Sequence, residues 1–157
     1  MSADNKAARW AEASACEFRV NGDPIAQPRP RARNAGAHAR VYSPQSHPVY
    51  AWRAAIVEAA APHKPAEPLT GPLRVNLRFY FKRPQRLLRK RDPVARIWHT
   101  GKPDRDNLDK AVLDCLTDAG WWADDSQVCA GELTKFYVNK GGTPGLVVFV
   151  QELGGEK

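Results

Sequence analysis

Leu73-Arg74-Val75-Asn76-Leu77-Arg78-Phe79-Tyr80-Phe81-Lys82 alternates apolar and polar side chains over ten residues without a break. A period of two places Leu73, Val75, Leu77, Phe79 and Phe81 on one face of a β-strand and the three cations on the other. Such a strand belongs to a sheet covered on one side, and the cover must come from helical patterns elsewhere in the chain. Upstream, Val49, Trp52, Ile56 and Ala60 recur at helical spacing, with Ser46 as the expected cap, Pro48 in the first turn and Pro62 as the stop. Downstream, Leu108, Val112, Cys115, Leu116 and Ala119 form one face of a helix over 107–119, with Asp106 as its expected N-cap and Gly120 as its end.

The remaining elements follow from the same periodicities. Residues 17–20 alternate as a strand that stops at Asn21-Gly22-Asp23-Pro24, and 40–42 reads as a short strand. Gln27-Pro28-Arg29-Pro30-Arg31-Ala32-Arg33 reads as an extended basic arm, because its prolines disfavour regular structure and its arginines carry no local counter-charge. Residues 127–139 form a strand, 141–145 a turn, and Leu146-Val147-Val148-Phe149-Val150 a fully apolar strand. The order β(β)αβαββ predicts an α/β (α+β) class, with two main helices packed on a mixed sheet in one domain. The expected limits are a flexible tail over 1–15, the domain over 16–153 and a frayed end over 154–157. The proline-rich stretch 61–72 is a linker within that domain.

At 157 residues the chain has the length of one domain, and 24 basic against 17 acidic residues leave a net charge of +7. A pI near 9.6 favours a nucleic-acid partner over a neutral small molecule, with acidic membranes and proteins as weaker options. Cys16, Cys115 and Cys129 are odd in number and contain no close pair, which argues against a disulfide framework or a zinc knuckle. No run approaches the roughly 20 apolar residues of a membrane span, and the N-terminus lacks a secretory core, so a cytoplasmic location is expected.

The charge is unevenly spread. Residues 82–102 hold Lys82, Arg83, Arg86, Arg89, Lys90, Arg91, Arg96 and Lys102 against Asp92 alone, a local charge of +7. Residues 103–132 hold seven aspartates and Glu132 against Arg105 and Lys110, a local charge of −6. A basic protein with one acidic island can attract a polyanion and still hold the divalent cation needed to attack it.

Within the island, Asp104 and Asp106 are one residue apart before a helix, so in extended backbone both side chains point the same way. Asp124-Asp125 follows that helix, and a return through Trp121 and Trp122 into a strand beside the preceding one would bring the pair back toward Asp106. Hard cations such as Mg²⁺ take a few carboxylate oxygens and let phosphate and water supply the rest. Lys110 lies one helical turn after Asp106, placed either to stabilise transition-state charge or to pair with Asp106. Simpler readings exist for each residue alone. Asp106 suits a cap, Asp109, Asp114 and Asp118 suit the solvated face of an amphipathic helix, and Asp124-Asp125 suits a turn. An EF-hand loop starting at Asp104 fails, because Asp109 stands where its glycine is required and Cys115 where its final glutamate is. The joint spacing, rather than any one residue, points to a metal site.

Lys102-Pro103-Asp104-Arg105-Asp106-Asn107-Leu108-Asp109-Lys110-Ala111, then Asp114 and Leu116, then Trp121-Trp122-Ala123-Asp124-Asp125-Ser126-Gln127-Val128, closely resembles the RusA-like Holliday junction resolvases. The family pattern is a D-x-D-N-L-x-K-A run, a D-x-L helix end and an aromatic followed by D-D-[SA]-Q-V. Residues 24–33 and Tyr42-Ser43-Pro44 look like its N-terminal segments, so the likeness covers about 18–150. It implies a homodimeric, Mg²⁺-dependent endonuclease that resolves four-way DNA junctions by paired symmetric nicks in recombination and repair, with Mn²⁺ as a substitute ion and a phage or prophage as a plausible source. By matched position it implies Asp104, Asp106 and Asp125 as metal-holding catalytic carboxylates, Asp124 as a neighbouring acid and Lys110 as the catalytic lysine.

Phosphate contacts are expected from Arg29, Arg31, Arg33 and Arg40, and from Lys82, Arg83 and Lys102. Trp121 and Trp122 either stack on unpaired bases or fill the core, the latter being usual for large aromatics at a helix end. His38, His47, His63 and His99 lack metal-ligand spacing. Two rival functions stay open at this level, a catalytically inactive branched-DNA-binding module and a less selective flap or fork nuclease.

Overall fold

The computed structural model describes residues 15–28, 31–35, 38–42 and 47–154, the two middle segments by their backbone. The alternating segment forms β4 (Leu73–Phe81), with Leu73, Val75, Leu77 and Phe79 buried and Arg74 and Arg78 exposed. It lies inside a six-stranded mixed sheet. On one side β4 pairs antiparallel with β8 (Gly145–Glu152), which pairs antiparallel with β1 (Ala15–Asn21). On its other side β4 pairs in parallel with β6 (Val128–Ala130) and then β7 (Leu133–Tyr137), and β5 (Ile97–Trp98) adds antiparallel to β7.

The single strand expected over 127–139 is therefore two. Gly131 separates them at φ +148°, and a Cβ there would lie 1.9 Å from the Val75 carbonyl oxygen. Only glycine tolerates that approach. The pairing resumes because Leu77 N–H donates to Glu132 O at 2.8 Å and Glu132 N–H donates to Asn76 Oδ1 at 2.9 Å.

Both helices cover the Leu73–Phe79 face. Helix α1 (Pro48–Ala60) buries Val49, Trp52, Ile56 and Ala60, as its spacing predicts. Its cap is His47, whose Nδ1 accepts from Val49 N–H at 3.1 Å. Ser46, the expected cap, lies outside the described residues. Helix α2 (Arg105–Asp118) buries Leu108, Ala111, Val112, Cys115 and Leu116. It ends at Gly120 (φ +87°), where Trp121 N–H reaches Leu116 O and Gly120 N–H reaches Thr117 O, both at 3.0 Å. This pairing closes the last turn and reverses the chain. Trp121 and Trp122, each 1 % exposed, then drop into the core, where a fully buried large apolar side chain contributes roughly 1.5–3 kcal/mol. Leu69 N–H bonds Trp121 O at 2.9 Å, so the return path is tied to the segment leading into β4.

Two parts depart from expectation. Residues 31–33 of the expected extended basic arm lie in a hairpin strand, β2 (Arg31–Ala35), paired with β3 (His38–Tyr42), which contains the expected 40–42 strand, with Arg33 and Arg40 as directly paired positions. The pairing satisfies backbone groups that an isolated arm would leave to water. The basic segment after β4 is also ordered. Arg83, expected to contact DNA, is 4 % exposed. Its guanidinium donates to Val138 O at 2.8 Å, Leu87 O at 3.0 Å and Ala95 O at 2.7 Å. A cation committed to three carbonyls beneath its own loop has no face left for a phosphate, so Arg83 leaves the DNA-contacting set.

Candidate active site

The exposed side of α2 carries the acidic island. The helix starts at Arg105, with Asp104 in extended backbone at the N-cap position and no side-chain capping bond. Asp106, the expected cap, instead occupies the first turn, where the partial positive charge of the helix terminus favours a carboxylate. Asp109 and Lys110 lie three and four residues after Asp106, Asp114 four after Lys110 and Thr117 three after Asp114, so they share this side. Ahead of the helix, Lys135 Nζ donates to Gly101 O at 2.7 Å and anchors the approach to Asp104. Burial draws the Lys135 ammonium below its usual pKa, and the nearby Asp104 charge opposes that shift.

Asp125 comes back to the same side. It begins a short 3₁₀ turn (Asp125–Gln127) whose cap is Asp124, with Asp124 Oδ1 accepting from Ser126 N–H at 2.8 Å. Gln127 Oε1 accepts from Ala123 N–H at 2.9 Å and Asp124 N–H at 3.0 Å, while its amide nitrogen donates to Leu69 O at 2.9 Å and Gly71 O at 3.1 Å. This box knots the turn to the chain entering β4. Asp124 is thus a capping carboxylate, held below the usual range by the Ser126 N–H.

The Asp125 side chain meets α2 one turn from its end. Thr117 Oγ1 donates to Asp125 Oδ1 and accepts from the indole N–H of Trp122 at 2.6 Å, with Leu113 O, 2.8 Å away, as the other acceptor in reach of its one proton. Asp114 lies beside Asp125. Burial first, then the hydrogen bond that a protonated Asp114 donates to the Asp125 carboxylate, push the Asp114 pKa up, and Lys110 at 3.3 Å opposes them. Asp109 is also raised, by burial and by the Asp125 charge, against the pull of Arg105.

These contacts correct the surface reading of Asp109 and Asp114, which face the returning turn instead of open water. Asp118 does match that reading, as an exposed residue paired with Arg53 at 2.7 Å. Lys110 pairs with Asp114, one turn further along the helix, at 3.3 Å. Among the described residues, no three His, Cys, Asp or Glu side chains form a group set to hold a metal ion.

Of the other expected contacts, Arg29 lies outside the described residues, and Arg31, Arg33 and Arg40 sit on the β2–β3 hairpin. Lys82 and Lys102 are exposed, the first just past β4 and the second two residues before Asp104. Trp121 and Trp122 belong to the core. Among the histidines, His47 caps α1 and His99 is buried against Phe81 and Tyr137. The sequence reading missed Thr117 and Gln127. Thr117 was within reach, lying three residues after Asp114 on the side that already held Lys110, whereas Gln127 gave no local sign of what its amide would bind.

The acidic helix face, Asp125 returned onto it and a positive remainder define a protein suited to handling a phosphate polyanion with a hard cation. The chain belongs to the RusA endodeoxyribonuclease family, whose model, described as endodeoxyribonuclease RusA, matches residues 21–151. Among its relatives is an uncharacterised Bacillus subtilis protein, YqaN, 32 % identical over 144 residues that cover 87 % of this chain and 96 % of that one. The crossover junction endodeoxyribonuclease RusA of Escherichia coli K12 is 47 % identical over 53 residues, covering 34 % of this chain and 42 % of that enzyme. The enzyme of the same name from Enterobacteria phage 82 matches to the same extent. No helix among the described residues is long and apolar enough to cross a membrane.

Proposed function

We propose that this protein is a Mg²⁺-dependent endonuclease that resolves four-way DNA junctions by paired nicks, as a homodimer, in recombination and repair. The observation that carries the reading is the return of Asp125 onto the α2 face that bears Asp106, Asp109, Lys110 and Asp114. The donor set suits a hard cation, being carboxylate oxygens alone. Burial and mutual repulsion already hold Asp109 and Asp114 in a costly state, which a bound cation relieves. Asp104, Asp106 and Asp125 are the residues assigned to hold it. When bound, a divalent ion supplies Lewis-acid stabilisation of the charge that builds on the phosphate.

The chain's own groups do the rest. Thr117 and the Trp122 indole fix the Asp125 carboxylate, so it enters the reaction already oriented. The Lys110 ammonium, 63 % exposed at its side chain, can leave Asp114 for a phosphate oxygen of an incoming strand. Water then displaces the leaving sugar oxygen at phosphorus, and that oxygen leaves with a proton. Lys82, Lys102 and the hairpin arginines Arg31, Arg33 and Arg40 are placed in the role of backbone contacts that position the DNA. Arg29 keeps that role from its sequence pattern.

The test is a panel of four-way junction, flap, splayed-arm and linear duplex substrates, each with Mg²⁺, with Mn²⁺ and with EDTA. Metal-dependent cutting that prefers the four-way junction supports the reading. Equal cutting of flaps and forks would replace it with a less selective nuclease, and junction binding without any cutting would replace it with a binding module.

A further inference from the structure

Arg105 is the first residue of α2, and the helix itself gives no reason for a cation there. The amino end of a helix carries partial positive charge, so an arginine in the first turn sits at the unfavourable end of the dipole. Asp109 follows one turn later, but a cation ahead of an acid is the weaker order for such a pair. Among the described residues the exposed Arg105 guanidinium holds no hydrogen bond or ion pair, and only its charge reaches Asp109. Arg105 and Lys110 are the cations of the 103–132 stretch, and Lys110 already pairs with Asp114. Beside Arg105 a hollow of about 480 Å³ opens between the start of α2 and the β6–β7 break. Asp106 and Asp109 line one wall, residues 128–133 the other, and buried Val75 the floor.

We propose that Arg105 binds the phosphate next to the scissile one, with the adjoining sugar and base seated in this hollow. The inference rests on the endonuclease reading above and extends it to the flanking nucleotide. A divalent ion held by Asp104, Asp106 and Asp125 offsets the charge of the phosphate it touches. A strand drawn along the α2 face also brings neighbouring phosphates against the same carboxylates, and those meet repulsion unless a cation stands one step along. Arg105 is the group placed to supply it. Its guanidinium presents a planar fork of donors that matches two phosphate oxygens at once, and it has no internal partner to leave. The hollow suits the rest of the nucleotide. Its volume lies within the roughly 300–1,000 Å³ of small-molecule sites. Val75, Val128 and Leu133 give it apolar surface for a sugar and a base face, while Glu132 on the far wall repels phosphate toward Arg105 and can accept from a base amino group.

The experiment pairs an arginine variant with a neutral phosphate. Labelled four-way junctions carrying one methylphosphonate, placed in turn at each phosphate beside the cleaved one, are bound in Ca²⁺ and cut in Mg²⁺ by the full chain and by Arg105→Gln. Arg105→Gln is expected to weaken binding to the natural junction by about tenfold, with KM rising more than kcat falls. It is expected to melt at or above the wild-type temperature, because a cation leaves the positive end of a helix. Arg105→Lys, which keeps the charge and loses the fork, is expected to cost about threefold in affinity. At one methylphosphonate position the wild type is expected to lose about tenfold and Arg105→Gln less than about twofold, since that phosphate's partner is already gone. Equal losses in both proteins at every position overturn the proposal. So does an Arg105→Gln variant that melts lower and loses affinity alike for natural and neutral phosphates, which is the mark of a structural role. Junction cutting with KM unchanged by Arg105→Gln refutes this subsite and spares the endonuclease reading. Binding without cutting, with the phosphate coupling to Arg105 intact, does the reverse.

Discussion

The acidic stretch 103–132, which includes α2, and the basic segment 82–102 between β4 and α2 carry comparable charge of opposite sign, −6 and +7, and the fold treats them differently. On α2, carboxylates are pressed toward one another: Asp125 lies against Asp114 and its charge reaches Asp109. In the basic segment the charges are dispersed, and the most buried, Arg83, is spent on the Leu87 and Ala95 carbonyls of its own loop and on Val138 O just past β7. Repulsion left unrelieved on a surface is a cost that a ligand can remove, whereas a cation satisfied internally has nothing left to offer one. Charge density alone does not separate these cases, and hydrogen-bond partners do.

The comparison breaks first at Asp125. Asp125→Asn is expected to lower junction cleavage by about 10³-fold, the loss of several kcal/mol of charge stabilisation, while junction binding persists. Single-turnover cleavage beside a binding titration measures both, and undiminished cutting would remove Asp125 from the site. Next is Arg83→Met, which strands the Val138, Leu87 and Ala95 carbonyls and should cost about 2–4 kcal/mol of stability by denaturant unfolding. Lys82→Ala beside it should leave stability within about 0.5 kcal/mol and weaken DNA binding instead. If Arg83→Met melted like wild type and bound DNA poorly, the two regions would not differ as described.

A finer probe is Thr117→Val, which removes the hydroxyl between the Trp122 indole and Asp125. It should cost about 1–2 kcal/mol in stability and shift the Mg²⁺ dependence of cleavage to higher concentration. A Mg²⁺ profile identical to wild type would leave Thr117 a purely structural contact. The smallest effect is the pH dependence of Asp114, whose folded pKa is raised. Between the ordinary carboxylate range and that raised value, the unfolded chain releases its proton first, so stability falls as pH rises through the window. In EDTA, Asp114→Asn should therefore gain stability at neutral pH, by less than about 1 kcal/mol, and lose that gain in acid. Melting curves at both pH values measure the difference, and a gain independent of pH would mean that Asp114 carries no such strain.

Much of the fold was legible because periodicity is local. The alternation over 73–82, the helical spacing of Val49, Trp52, Ile56 and Ala60, and Gly120 as a stop all report on neighbours within a turn or a pleat. Helix ends were less legible, since Asp104 and Asp106 are equally suited to begin α2 and backbone dihedrals chose between them. The Gly131 break was hidden because its cause, the Val75 carbonyl, lies on another strand. Residues 40–42 read as a strand, but the pairing of β3 with β2 was hidden, because it is made between backbones.

From its sequence alone, this protein was determined to be a basic α+β domain with an Asp-x-Asp helix start, Lys110 one turn on and an aspartate pair returning after two tryptophans. Those are properties of spacing along one chain. The tertiary structure alone decided that Asp125 meets α2 at Asp114 and Thr117, that Asp124 serves a cap and that Arg83 is a pin. The Asp125 contacts and the Arg83 bond to Val138 O join residues apart in sequence, the Asp124 cap on Ser126 needs the turn that folding sets, and hydrogen bonding and desolvation act between groups that only folding brings together.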